Sequence, residues 1–276
     1  MHRETRAGGL AFIGGGNMAS AIIGGLIKSG HPAGEIQVVE PDASARARLE
    51  RDLGVLTLAA PTAELARAQA VVWAVKPQVL REAALAARGH VPHALHLSVA
   101  AGIRSGDLAR WLGGERIVRA MPNTPALVGR GISGLFARAA VTAQDRATVE
   151  RLLAPTGAHL WVAREEDLDA VTALSGSGPA YVFYFLEAMQ RAGAAMGLPP
   201  EQALTLAIHT FAGAAQLAQD ADEPPATLRE RVTSKGGTTY AALQSLRASR
   251  VAEHFESALF AAKQRAAEMG DEFGSD

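Results

Sequence analysis

At 276 residues, with 48% hydrophobic residues and a net charge of −1, the chain suits one large or two ordinary domains and has ample apolar content for a buried core. The charge balance, with no dense Lys/Arg cluster, gives no general pull toward nucleic acid or a membrane surface, and no run is long and apolar enough for a membrane span. Cysteine is absent, which excludes disulfides, thiolate metal sites and thiol catalysis, and is compatible with a cytoplasmic protein.

Residues 1–8 read as a loose tail. Arg3 and Arg6 before an apolar run imitate a signal peptide, but the glycines and Asn17 inside that run argue against one. Leu10 to Ile13 is a short apolar strand that meets three glycines, after which Ile22, Ile23, Leu26 and Ile27 resume at helical spacing. The order is strand, tight turn, helix, with Gly14-x-Gly16-x-x-Ala19 in the form a dinucleotide-binding turn takes when Ala replaces the third Gly. Gly14 permits the turn, Gly16 lets the backbone approach a pyrophosphate, and Ala19 allows close helix–strand packing. The helix start then offers free N–H groups to phosphate. A second strand, Ile36 to Glu40, ends in an acid about twenty residues past the turn, where a ribose hydroxyl needs an acceptor.

Ser44 to Leu53 reads as a helix, Val55 to Leu58 as a strand, Thr62 to Arg67 as a capped helix, and Ala70 to Val75 as the continuous apolar strand of a parallel sheet covered on both faces. Val79 to Arg88 and Ser105 to Leu112 are helical. Ala94 to Val99 and Arg116 to Ala120 are strands, with Ile132 to Ala137 and His159 to Val162 as further strands around a helix at Ala143 to Leu153. This alternation predicts an α/β doubly wound sheet over residues 1–164. From Glu165 the strand signals stop, and residues 165–276 read as an all-α domain. Its helices are Asp167 to Leu174, Ala180 to Met196, Glu201 to Ala218, Leu228 to Val232, Tyr240 to Leu246 and Val251 to Met269, with a break at Ser175 to Pro179. The helix Glu201 to Ala218 is apolar on most sides and must be buried on all of them, so a partner subunit is expected.

Lys76-Pro77, Ala100 to Gly102 and Met121 to Pro125 each follow an apolar strand directly, which in a parallel sheet places them at the carboxyl edge beside Gly14 to Ala19, where ligands of such folds bind. Ser234 to Thr239, with hydroxyls and glycine N–H groups opening a helix, reads either as an anion cradle or as an ordinary cap by Thr238 or Thr239. His90, His93 and His96 are spaced so that an extended segment points the last two to opposite faces, and no metal site is expected. No Gly-x-Ser-x-Gly elbow follows a strand, and Lys76 and Lys235 are the lysines placed for catalysis.

Together these motifs resemble the pyrroline-5-carboxylate reductase family, whose members carry out the last step of proline synthesis. The likeness rests on Phe12-Ile-Gly-Gly-Gly-Asn-Met18, Ala74-Val-Lys-Pro77, Ser98 with Ala100 to Gly102, Arg119-Ala-Met-Pro-Asn-Thr-Pro125, Leu174-Ser-Gly-Ser-Gly-Pro-Ala-Tyr181 and Val232 to Thr239. The resemblance implies a Rossmann domain followed by a helical dimerisation domain, as a homodimer or a decamer of dimers, reducing L-1-pyrroline-5-carboxylate to L-proline by hydride transfer from NADH or NADPH. It implies that Gly14, Gly15, Gly16, Asn17, Met18, Glu40, Ala74, Val75, Lys76, Pro77 and Ala101 serve NAD or NADP. It implies that Asn123, Ser234, Gly237, Thr238 and Thr239 surround the substrate, with Thr239 beside the ring nitrogen. Where the family usually has Pro after the Ser of this last loop, the chain has Lys235.

The chemistry agrees with the residues. An imine nitrogen arrives protonated from water, so no strong protein acid is needed, and positioning supplies most of the rate. Oxidation of a hydroxy acid would need a base, and Ala180 to Met196 contains no Lys to provide one. A protein that binds NAD without turning anything over is the rival from another class. Glu40 favours NADH and the nearby Arg46 and Arg48 favour NADPH, so use of both with weak preference is expected.

Overall fold

A computed structural model describes residues 9–274; the tail expected over residues 1–8 lies outside them. By its contacts the chain divides into two compact units, one running to Ser177 and taking in the chain again from Ala262, the other Gly178–Ala261.

The first unit is built on one eight-stranded sheet. In chain order its elements are β1 (Gly9–Ile13), α1 (Asn17–Lys28), β2 (Ile36–Val39), α2 (Ala43–Leu53), β3 (Leu56–Leu58), β4 (Ala68–Trp73), α3 (Pro77–Ala87), β5 (Leu95–Ser98), α4 (Ser105–Leu112), β6 (Ile117–Met121), β7 (Gly131–Ala137), α5 (Ala143–Leu153), β8 (Gly157–Trp161) and α6 (Asp167–Val171). The strand order is β3-β2-β1-β4-β5-β6-β7-β8. The first six strands run parallel, with Leu10 opposite Ile36 on one side and Ala70 on the other, in the 3-2-1-4-5-6 order of dinucleotide-binding sheets. β7 then turns antiparallel to β6, and β8 pairs parallel to β7.

Alternation along the strands sets the two cores. Leu10 and Phe12 face a cluster with Ile22 and Ile23 of α1 and Leu152 of α5, while Ala11 and Ile13 face the opposite cluster with Leu80 of α3 and Leu108 of α4. Phe12 and Trp73 are fully buried, so truncating either to Ala would cost about 3–5 kcal/mol. The segment Ala63–Arg67 is a short 3₁₀ helix capped, as expected, by Thr62, whose side chain accepts from Glu64 N–H at 3.3 Å. Two other elements differ from expectation. β4 ends at Trp73 instead of Val75 because the chain leaves the sheet to form the turn at Ala74, whose N–H still reaches Ile13 O at 2.8 Å. The break at Ser175 to Pro179 is a π-helical turn, Thr172–Gly176, that runs on into the next helix. Ser177 N–H closes it on Thr172 O at 2.8 Å, and a Cβ on Gly176 would lie 2.5 Å from Met121 Cε, so a larger residue there would displace the end of that side chain.

The second unit holds α7 (Gly178–Ala195), α8 (Pro200–Asp220), α9 (Pro225–Arg231), α10 (Thr238–Ala248) and the first part of α11 (Val251–Gly274). α7 and α8 form an antiparallel pair around Gly197, whose φ of +95° suits glycine. They approach closely because Gly193 faces Ala203, where an added Cβ would sit 2.6 Å from the Ala203 methyl. Tyr181 and Phe185 pack edge-on against Phe255 of α11. In this single chain the apolar residues of α8 are mostly uncovered: Leu206 is 59% and Leu217 70% exposed. No described helix is long and apolar enough to cross a membrane.

Candidate active site

The carboxyl ends of β1, β2, β3 and β4 enclose a cavity of about 560 Å³. Gly14, Gly15, Gly16, Glu40, Ala74, Val75 and Lys76 all line it, so seven of the residues expected to serve a dinucleotide come together. The glycines are needed for different reasons. Gly14 has φ +95°, and a Cβ there would lie 2.8 Å from both Ala74 O and Val75 Cγ1. At Gly15 a Cβ would strike Leu49 Cδ1. Gly16 has nothing within 4 Å of its Cβ position, so the space it leaves belongs to no protein atom. Gly16 also caps α1 without a side-chain acceptor, leaving the first N–H groups of the helix directed at that space. A pyrophosphate fits this cradle by charge and by room.

Glu40 stands at the end of β2 with both carboxylate oxygens engaged. Oε2 accepts from Gly15 N–H and Oε1 from Asp42 N–H, each at 3.0 Å. Arg46, on α2, turns its guanidinium back to donate to Glu40 O and Pro41 O, each at 2.8 Å. Sequence reading missed the apolar wall of this cavity, which includes Ala59, Pro61, Val79, Ala83 and Ala86. The signal was available: Ala59 to Pro61 directly follow β3, the next parallel strand beyond β2.

Asn17, Met18 and Pro77 flank the cavity in sequence without lining it. Asn17 is exposed at the first position of α1, Met18 packs on the core, and Pro77 opens α3. Ala101 follows β5 and Asn123 follows β6, continuing the row of loops along the same sheet edge. Three strand spacings separate β1 from β6, about 14 Å. Asn123 Oδ1 accepts from Ile132 N–H at 3.0 Å, leaving its amide NH₂ without a partner among the described residues.

Charged groups brace these loops from behind. Glu165 accepts from Ser105 N–H and Ser105 Oγ, each at 2.6 Å, and from Arg119 of β6 at 2.7 Å. Burial pushes the Glu165 pKa up, but Arg119 and Ser105 outweigh it and hold the carboxyl below its ordinary value. Arg104 pairs bidentately with Asp169 at 3.1 and 2.9 Å. His96 is buried and accepts from Trp73 Nε1 at 3.2 Å, and burial holds its pKa down at about 4. Its Nδ1 is therefore spent inside the sheet. Among the described residues no group of His, Asp or Glu is placed to hold a metal ion.

In the second unit, Thr233 to Gly237 forms the loop that opens α10. Gly236 has φ +77°, and Gly237 N–H closes a turn on Ser234 O at 3.0 Å. A Cβ on Gly237 would lie 2.6 Å from Ser234 Oγ. The N-cap is Gly237 itself, with no side-chain acceptor, so the cap role considered for Thr238 and Thr239 falls to neither. Both threonines occupy the first turn of α10, and their hydroxyls have no partner among the described residues. Lys235 is exposed beside them. The loop thus presents Ser234, Thr238 and Thr239 hydroxyls with the open N–H groups of a helix start, a set of donors suited to a carboxylate.

Residues 165–269 match the family model for pyrroline-5-carboxylate reductase dimerisation, and residues 9–102 that for NADP oxidoreductase, coenzyme F420-dependent. A pyrroline-5-carboxylate reductase of Pseudomonas aeruginosa is 44% identical over 267 residues, covering 96% of this chain and 98% of the relative. A solved reductase of this kind from Coxiella burnetii superposes with a TM-score of 0.90 at 37% identity, over 95% of this chain and 98% of the other. One from Plasmodium falciparum, with NADP bound, gives 0.84 at 28% identity over the same shares.

Proposed function

The chain belongs to the pyrroline-5-carboxylate reductase family, and from that premise we propose how its own residues perform the reaction. It is an NAD(P)H-dependent oxidoreductase that converts L-1-pyrroline-5-carboxylate to L-proline. NADH or NADPH, when bound, supplies the hydride that reduces the imine carbon. Gly14 to Gly16 and the start of α1 hold the pyrophosphate, Glu40 holds the adenosine ribose, and Ala74 to Lys76 form the facing wall. Asn17, Met18, Pro77 and Ala101 are assigned to the same cofactor on the family resemblance.

The observation that carries the substrate assignment is the uncapped start of α10. A helix N-terminus without a side-chain acceptor retains its donors for a ligand, and Ser234, Gly237 and Thr238 surround it, so the substrate carboxylate is bound there. Thr239 Oγ1 accepts from the protonated ring nitrogen, and Asn123 is assigned to the substrate on the family resemblance alone. The nitrogen keeps its proton throughout: the carbon gains the hydride, the C=N π pair becomes the nitrogen lone pair, and a secondary amine leaves. The residues therefore orient and hold charge instead of transferring a proton.

Residues 1–164 are assigned to the cofactor and 165–276 to substrate binding and dimerisation. The exposed apolar face of α8 supports a homodimer, or a decamer of dimers, in which a partner covers it. The cytoplasm is the compartment assigned, in keeping with a cysteine-free sequence. The assignment of the carboxylate to α10 is tested by comparing 1-pyrroline-5-carboxylate with 1-pyrroline, which lacks that group. Loss of a charge-assisted anchor worth about 3 kcal/mol lowers kcat/KM by roughly a hundredfold. Equal kcat/KM for the two rings would overturn it.

A further inference from the structure

We propose that Arg104 is a positioning residue for hydride transfer. Held between the Asp169 carboxylate and the backbone of α11 at Gly270, it fixes the loop after β5 that presents Ala101 to the nicotinamide end of the cofactor. The inference rests on the reading that Ala101 meets that end.

The sheet sets the place of the loop. β5 lies beside β4, whose end at Ala74 to Lys76 lines the cavity, so residues 99–104 stand one strand spacing, about 5 Å, further along the same carboxyl edge. At its start Val99 N–H reaches Trp73 O at 3.1 Å. Between the buried Ala100 and Ile103, Ala101 and Gly102 form a half-exposed arch. Its far end is Arg104, which gives α4 no side-chain cap; Ser105 N–H goes to Glu165 instead.

Arg104 does not line the cavity, and every group around it acts to hold it still. Nη1 and Nη2 donate to the two oxygens of Asp169 at 3.1 and 2.9 Å, a pairing that sets the plane of the guanidinium as well as its place. Another side is closed by α11, whose part from Ala262 onward belongs to the first unit. Ala266, Met269, Gly270 and Phe273 share one face of that helix. A Cβ on Gly102 would lie 3.0 Å from Met269 Cβ and 3.1 Å from Phe273 Cδ2, so this face packs on the arch itself. At Gly270 a Cβ would lie 2.5 Å from Arg104 Nε and 2.7 Å from its Nη2, so the guanidinium rests directly on helix backbone. Gly270 has no positive φ to demand glycine, and alanine is the better helix former. What the glycine supplies is room for the arginine. A methyl there pushes the guanidinium, the movable end of a side chain, off the Asp169 oxygens and releases the arch.

The test is single-turnover kinetics of the intact enzyme, loaded with NADH and mixed with saturating pyrroline-5-carboxylate. The fraction of folded enzyme sets the amplitude of a single turnover and leaves its rate constant unchanged, so a merely structural role does not move that constant. Gly270→Ala should lower it about tenfold, while the inhibition constant of adenosine diphosphate ribose, which lacks the nicotinamide, stays within about twofold. Arg104→Lys, which keeps the charge and gives up the paired bonds, should lower it too. Adding Gly270→Ala to Arg104→Lys should then change it by less than about twofold, because the methyl has no guanidinium to displace. A Gly270→Ala rate constant within twofold of wild type overturns the proposal, whatever the amplitude. So does an equal loss of adenosine diphosphate ribose affinity, or a full effect of the methyl in the Arg104→Lys background. Ala101→Val tests the reading beneath, and should slow the turnover without weakening adenosine diphosphate ribose. An unchanged rate in Ala101→Val removes the placement of Ala101 and the proposal with it, whereas slowing by Ala101→Val but not by Gly270→Ala removes the role of Arg104 alone.

Discussion

Thr239→Val separates a residue that acts on the substrate from one that supports the fold. Thr239 lies in the first turn of α10, half-buried, with no partner for its hydroxyl among the described residues, and the helix is capped by Gly237 without any side chain. Valine keeps the shape and β-branching, so the folded protein loses no internal hydrogen bond, and stability should change by no more than about 0.5 kcal/mol. The bond to the protonated ring nitrogen is a different matter. A hydrogen bond to a charged partner is worth about 1.5–3 kcal/mol, which at 1.36 kcal/mol per decade is a fall in kcat/KM of roughly ten- to a hundredfold. The assay is the initial rate of NAD(P)H oxidation over a range of substrate, with a thermal melt run beside it. A kcat/KM within about twofold of wild type would refute the role given to Thr239, and so would a fall accounted for by a lowered melting temperature.

Ser234→Ala should raise KM more than it lowers kcat, because a group that holds a carboxylate stabilises bound substrate and transition state alike; a kcat loss at constant KM would contradict this. Arg119→Met should destabilise the protein by about 3 kcal/mol in urea unfolding, since it leaves Glu165 buried without its cation, and adding Glu165→Gln should recover part of that loss. His96 predicts an acid-sensitive fold. Its folded pKa of about 4 lies below the ordinary 6.5, so between these values the unfolded chain binds the extra proton. Its contribution is complete above pH 6.5 and is lost as the pH falls toward 4, about 2 kcal/mol by pH 5. His96→Gln, which still accepts from Trp73, should show a correspondingly smaller drop between pH 7 and pH 5, and an equal drop would contradict the reasoning.

What the sequence revealed follows the range of each interaction. Gly14 and Gly16 were legible because the turn, the close approach and the helix start lie within a few residues of one another. The apolar run of β4 gave a buried parallel strand, but its end was misplaced because the turn at Ala74 is set by Ile13 and Val75, not by hydrophobicity. The antiparallel turn of β7 against β6 was hidden, since both strand directions give the same apolar pattern. The bracing of Ser105 and Arg119 by Glu165 joins residues 60 and 46 positions apart, and no local pattern announces it. At α10 the sequence left two roles for Thr238 and Thr239 open, and the backbone resolved one of them by making Gly237 the cap. The arginine set against Glu40 was counted correctly as a charge, yet its guanidinium is turned onto the backbone, which depends on the path of the chain after β2.

The central claim is that this chain delivers a hydride from a nicotinamide cofactor to the imine carbon of 1-pyrroline-5-carboxylate. The most direct measurement uses NADH or NADPH carrying deuterium in the transferable position at C4, with mass spectrometry and NMR of the product. The account predicts L-proline with one deuterium on Cδ, formed in step with cofactor oxidation. Cofactor oxidation without labelled proline, or proline carrying the label at another carbon, would contradict it.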